Sequence, residues 1–291
     1  MGAWAAKHLG KINPGLPANV KIGGSSDGLG GGFLESEFAA LPIGNPESGL
    51  QNSSIHQGVT EERFKRRFRK LKEMNSAFAR KYDTKEARAY ASMYDQAVKL
   101  MKSKDLQAFD LSDEKAVVRD RYGREPFGQA CLLAIRFVQN GVRFVEVNFG
   151  GWDTHGDNFG RVQAQGQILD QALASLLADL DSSGMLDSTL VVLATEFGRT
   201  PKIFADRDNG RNHYPQAFSC LLAGGGIKGG IKYGKTDKEG REVVEDMVVV
   251  PDFNATIAHA LGIPLEKKTM SPSMRPFTVA DKGEPILDLF G

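Results

Sequence analysis

Four side chains have the types and the setting for metal chemistry. They are Asp153 and His155 in "GGWDTHGDN", Glu196 in "TEFGRTP" and His213 in "GRNHYP". Imidazole suits zinc-like ions, and carboxylates offset the charge of a divalent cation. Residues i and i+2 of an extended segment point to the same side, so Asp153 and His155 can reach one ion or two neighbouring ions. Such an ion polarises a phosphoryl or sulfuryl oxygen, or lowers the pKa of a bound water. Arg199 and Arg211 lie in the flanking loops, where a guanidinium fork matches the oxygens of such a group; Arg199 is the candidate for anion binding. Singly, each residue has an ordinary structural alternative. Asp153 can cap a turn or helix, Glu196 can be an ion-pair partner, and either histidine can be a satisfied surface or core residue.

The elements around them supply the argument for joint placement. "VRFVEVNF" has the pattern of a strand, residues 159 to 183 form a long amphipathic helix stopped by Gly184, and "STLVVLATEF" is a continuous β-branched run of the kind found in a parallel strand buried on both faces. Strand, helix, strand predicts a right-handed βαβ unit with two parallel strands ending at the same sheet edge, where open α/β sheets bind ligands. The first strand then delivers Asp153 and His155 and the second Glu196, while the loop "RTPKIFADRDNGRN" is long enough to fold back with His213.

Upstream, residues 23 to 58 are rich in Gly, Ser, Pro and Asn and read as a long irregular excursion. Thr60 then caps a helix with Phe64, Phe68, Leu71, Asn75, Phe78 and Tyr82 at helical spacing. A second helix follows Asp83 and Thr84, with Ala87, Ala91, Tyr94, Val98 and Met101 on one face. Together residues 60 to 104 predict a helical hairpin covering a core. Its basic run "RFKRRFRKLK" reads as a solvated outer face. A further helix, "FGQACLLAIRFVQNG", begins after Pro126.

Composition bounds the rest. The 291 residues are 41% hydrophobic and 25% charged, as expected of a globular chain. A formal charge of +1 provides no global field for nucleic acid or an anionic membrane. No apolar run approaches the roughly 20 residues of a membrane span. Cys131 and Cys220 lie in apolar stretches, as small buried hydrophobes do, and form neither a disulfide framework nor a zinc site. "AGGGIKGG" lacks the Lys-Ser/Thr ending of a phosphate loop and is a glycine-rich turn between strands. His259 sits in the helix "DFNATIAHALGI", with a helix-face role.

"GGWDTHGDNF", "LLADLDSSGMLDSTLVVLATEFGRTP", "GRNHYPQAFSCLLAGGGIKGG" and "DFNATIAHALGIP" resemble, in this order, a bacterial family known as domain of unknown function 1501. The resemblance covers almost the whole chain. That family is similar to the alkaline phosphatase and sulfatase superfamily, which hydrolyses or transfers phosphate and sulfate esters with two metal ions. The resemblance implies a single α/β domain over 1–291, with a mostly parallel sheet flanked by helices and the hairpin as an insertion. It places Asp153, His155, Glu196 and His213 at metal-binding positions for divalent ions, zinc first, with manganese or calcium as alternatives. The expected substrate is a small-molecule or saccharide phosphate or sulfate ester, without nucleic acid, and the expected location is exported or periplasmic. Two departures qualify it. The superfamily's first strand, with its metal-binding Asp and the Ser, Thr or modified Cys nucleophile, precedes the point where this sequence starts, so the domain is expected to be N-terminally incomplete and to lack the nucleophile. Asn212 stands where "GRDH" would carry Asp. The alternative from another class is a non-catalytic binding or structural protein retaining the fold; a phosphotransferase or mutase of the same superfamily is a third option.

Overall fold

Helix punctuation is set by local chemistry. Thr60 accepts from the Arg63 amide at the start of helix α2 (Glu61–Tyr82), and Thr84 accepts from the Ala87 amide at the start of α3 (Lys85–Met101), so each caps an otherwise unpaired donor. The structure, a computed structural model, describes residues 1–24, 30–82 and 84–291. Asp83 of the expected second cap, and residues 25–29 of the Gly-rich excursion, lie outside the described residues.

The protein is mixed α/β and divides into two compact units. One comprises 2–115 and 132–148. Its centre is a three-stranded parallel sheet in the order β2 (Leu41–Ile43), β1 (Asn19–Ile22), β3 (Phe144–Val147), with Val20 opposite both Leu41 and Val145. Val20, Ile22, Ile43, Leu133 and Phe137 are buried, and the rings of Phe109 and Phe137 meet edge to face at 4.7 Å. Arg136 pairs with Glu114 and donates to the Gln107 carbonyl at 2.7 Å. Helix α1 (Gly2–Leu9), α2 and α3 belong to this unit. Strand β2, of three residues, lies inside the stretch that the sequence reads as irregular, because a strand that short carries too few positions to show an alternation.

The other unit comprises Met1, 116–131 and 149–291. It holds α4 (Ala116–Tyr122), α6 (Asn158–Ser182), α7 (Val250–Ala260) and four antiparallel strand pairs, among them β4 (Val191–Leu193) with β7 (Leu221–Ala223) and β5 (Gly198–Arg199) with β6 (His213–Tyr214). Helix α5 (Pro126–Gln139) runs through both residue sets. Gln129 is 0% exposed, yet fully bonded: it donates to the Arg119 and Gly123 carbonyls at 3.0 and 2.7 Å and accepts from Arg119 Nε at 2.7 Å. Beside it, Asp179 accepts from Tyr122 Oη at 2.8 Å and pairs with Arg121 at 2.7 Å. Burial first, then the Asp179 hydrogen bond and charge, push the Tyr122 phenol far above its ordinary range.

Two expectations are corrected. "STLVVLATEF" does not join "VRFVEVNF" in a parallel βαβ pair, since β3 bonds to β1 and β4 bonds antiparallel to β7. Antiparallel pairing needs no crossover, and β4 is short and half-buried rather than covered on both faces. Cys131 is buried as expected, but Cys220 is exposed, one residue before the edge of β7. The glycine turn after β7 and the helical placement of His259 agree with the sequence; Gly224, Gly225 and Gly226 all have positive φ.

Replacing Gln129 by Leu is expected to lower unfolding free energy by about 2–4 kcal/mol in urea titration, because the part-buried Arg119 and Gly123 carbonyls and the Arg119 Nε–H each lose a hydrogen bond. Thiol reactivity gives a second check. Burial pushes Cys131 up to about 12, so its thiolate is absent at neutral pH, whereas Cys220 is open to reagent although partial burial raises it too. An aromatic disulfide reagent at pH 8 should titrate one thiol in native protein and two in urea.

Candidate metal centre

The site is built by two loops that grip each other through their backbones. After β3 the chain passes Trp152 and turns at Asp157, whose carboxylate caps α6 through the Gly160 amide from a left-handed conformation at φ 43°. The second loop is a ribbon: Arg199 on β5 lies opposite His213 on β6, and Phe204 bridges to Gly210 further out. The Arg211 amide donates to the Thr154 carbonyl at 3.0 Å, and the Asp157 amide to the Asp208 carbonyl at 2.7 Å. At Gly210 the approach is so close that a Cβ would overlap the His155 carbonyl. Thr154, fully buried, donates to Asn158 at 2.7 Å and anchors the first loop from beneath.

These contacts turn three donor atoms toward one point. His155 Nε2 lies 3.0 Å and His213 Nε2 3.1 Å from Asp153 Oδ1, and the two imidazole nitrogens are 3.2 Å apart. A tetrahedral ion about 2.0–2.1 Å from each donor separates its ligands by about 3.3 Å, so this triangle needs only slight opening to hold one. Polar atoms this close repel unless they share a proton, as in the His213–Asp153 hydrogen bond, or a positive charge. Arg199 supplies one from the side, donating to Asp153 Oδ1 at 2.5 Å. Partial desolvation raises the Asp153 pKa, but hydrogen bonds from His213 and Arg199, with the charges of Arg199 and His155, outweigh it and hold the carboxyl below its ordinary range. The contacts therefore persist above the ordinary carboxylate pKa and fail only as pH falls through the lowered value.

Orientation of the first imidazole comes from Asn212. Its Oδ1 accepts from Arg207 at 3.3 Å and faces His155 Nδ1 at 3.3 Å, which favours the Nδ1–H tautomer and leaves the Nε2 lone pair pointing at the triangle. Asn212 is itself fixed by its amide, which donates to Thr200 Oγ1 at 3.1 Å. The ring of Phe197 lies 4.4 Å from that of His213 and limits its tilt.

Thus Asp153, His155 and His213 come together, and Arg199 touches Asp153 directly. Glu196, in the bend after β4, is exposed and is not a member of the cluster. Arg211 spends its guanidinium on the Thr200 and Pro201 carbonyls, at 2.6 and 3.1 Å, and so braces the ribbon. Arg207 and Gly210 act at the site without having been singled out by residue type, and Asn212, noted in the sequence as standing where a ligand Asp is expected, acts as a hydrogen-bond acceptor instead. The signal for Gly210 was its place directly before the "RNH" run. The side chains of Asp153, His155 and His213 are 61, 46 and 49% exposed, so the centre is open to small ligands, while Arg199 is 19% exposed.

Gly210→Ala should lower stability by about 1–3 kcal/mol in thermal unfolding through overpacking against the His155 carbonyl. Gly229→Ala, where a Cβ meets nothing within 4 Å, should leave stability unchanged or raise it by up to about 1 kcal/mol.

No curated relative and no solved structure matches the chain. Residues 1–290 match the family described as "Protein of unknown function (DUF1501)", and the chain belongs to that family.

Proposed function

We propose that the protein is a metal-dependent hydrolase of phosphate or sulfate esters, built on an alkaline-phosphatase-like fold. The observation that carries this is the triangle of Asp153 Oδ1, His155 Nε2 and His213 Nε2, with edges of 3.0–3.2 Å. An aspartate and two imidazoles suit zinc, with manganese or calcium as alternatives, and the donor set fits one such ion. When bound, the ion would act as a Lewis acid on an ester oxygen and make a bound water more acidic. The chain's own residues do the rest. Asn212 orients His155, Phe197 steadies His213, and the nearby guanidiniums of Arg199 and Arg207 are suited to an anionic group entering the open face. Glu196 lies outside the triangle but in the same unit, and is the residue to examine for a second ion. The α/β fold with a parallel sheet, and the order of the four quoted motifs, support the superfamily reading.

One observation favours a non-catalytic binding or structural role instead. Arg199 already neutralises Asp153, and an ion at the triangle must compete with that guanidinium for the same oxygen. Metal content separates the two roles. Purified protein dialysed against zinc should retain about one ion per chain, and His155→Ala and His213→Ala should each lose it. Arg199→Gln should keep the ion while lowering kcat/KM for an aryl phosphate or aryl sulfate by about 10–100-fold. Absence of stoichiometric metal, with no change on His155→Ala, would refute the hydrolase.

A further inference from the structure

We propose that the α2–α3 hairpin is a docking surface for an anionic phospholipid membrane, which the protein would meet peripherally. The overall charge of +1 conceals a strong segregation: α2 alone carries nine Lys and Arg residues against three Glu. Some of these are paired, Lys65 with Glu61 at 2.7 Å, Lys70 with Glu73 at 3.2 Å and Lys72 with Asp95 at 3.0 Å. Among the described residues no ion pair involves Arg63, Arg66, Arg67, Arg69, Arg80 or Lys81. A run of guanidiniums with no ion pair among the described residues, on a helix with no buried residue, is a local field that the net charge does not reveal.

Charge alone would be a solvated face. The second observation is what lies beside it. Met74, Phe78 and Tyr82 follow at i, i+4 and i+8 on α2, and all three are more than half exposed, as are Tyr90 and Met93 on α3. The Phe78 and Tyr82 rings meet at a tilt with centroids 4.6 Å apart, and those of Tyr90 and Tyr94 meet edge to face at 5.0 Å, with their hydroxyls 3.0 Å apart. The Lys72–Asp95 pair marks one flank of the hairpin. At 3.6 residues per turn, Met74, Phe78, Tyr90 and Met93 fall on the opposite flank, and Arg63, Arg67 and Lys81 border them there. Lys81 Nζ stands 5.1 Å over the Tyr82 ring.

An apolar stripe bordered by cations fits the headgroup boundary. Met and Phe enter the acyl layer, Tyr stays at the interface, and Lys and Arg reach phosphate oxygens. A nucleic acid would use the cations and stack on the rings, but methionine thioethers offer no plane to a base. No helix among the described residues is long and apolar enough to cross a membrane, so the contact is one of surface docking. The inference does not depend on the metal centre, which lies in the other unit.

The test is co-sedimentation of the full chain with vesicles of phosphatidylcholine containing 30% phosphatidylglycerol. Binding is expected there and not to pure phosphatidylcholine, and it should weaken at least tenfold as salt rises from low to about 0.5 M. Each cation near the surface contributes about fivefold, so R63Q/R67Q/K81Q should lower the partition coefficient by about a hundredfold. M74S/F78S should also lower it, with helicity by circular dichroism unchanged in both variants. Equal binding to neutral vesicles, no binding at any phosphatidylglycerol fraction, or unaltered binding by the two variants would overturn the proposal. So would tight capture of a single-stranded oligonucleotide without vesicle binding, or burial of the stripe in a dimer on sizing chromatography.

Discussion

The close backbone approach between the loop that follows β3 and the ribbon of β5 and β6 is the constraint on which the centre depends. Two amide–carbonyl bonds, Arg211 to Thr154 and Asp157 to Asp208, and the absence of a side chain at Gly210 set the separation of the loops. Asp153 and His155 are carried by one loop, Arg199 and His213 by the other. With exposed side chains of this kind, the entropy of holding three donors at one point would ordinarily defeat a weak cluster. Here the backbone has already ordered them, and the side chains lose little more.

Charge balance is the second theme. Asp153 is shared among two imidazoles and a guanidinium, so the carboxylate stays ionised and the centre is polarised before any ligand arrives. The guanidinium of Arg199, in contact with Asp153, would compete with a cation for that oxygen and would face an incoming anion. Arg199 is thus the residue whose position distinguishes a hydrolytic site from a structural ion-pair cluster. Asn212 belongs to the same balance: as a neutral acceptor it fixes the tautomer of His155 without adding a charge.

A whole-chain charge sum can mislead about local surfaces. The sum of +1 excludes a global field, and the basic run on α2 reads from sequence as the solvated side of an amphipathic helix. The cations are indeed exposed, and side-chain pairing and the exposure of neighbouring apolar residues add what the sum omits. Several cations of α2 lack an ionic partner among the described residues, and the apolar positions Phe78 and Tyr82, assigned by spacing to a covered face, are more than half exposed. Helical periodicity locates a stripe; it does not say what lies against it.

What the sequence determined by itself was local. Caps at Thr60 and Thr84, the long helix ending before Gly184 and the helix after Pro126 follow from short-range hydrogen bonding and periodicity, and so were legible to within a residue or two. Asp153, His155 and His213 stood out because their chemistry is rare in combination. Tertiary structure alone decided how they meet. The expected route, two parallel strands ending side by side, is not the one taken, because β4 finds its partner in β7 and β3 in β1. Strand pairing depends on contacts distant in sequence, which no local pattern encodes. The same is true of Glu196, set outside the cluster, and of Asn212, whose role depends on where a neighbouring imidazole happens to point.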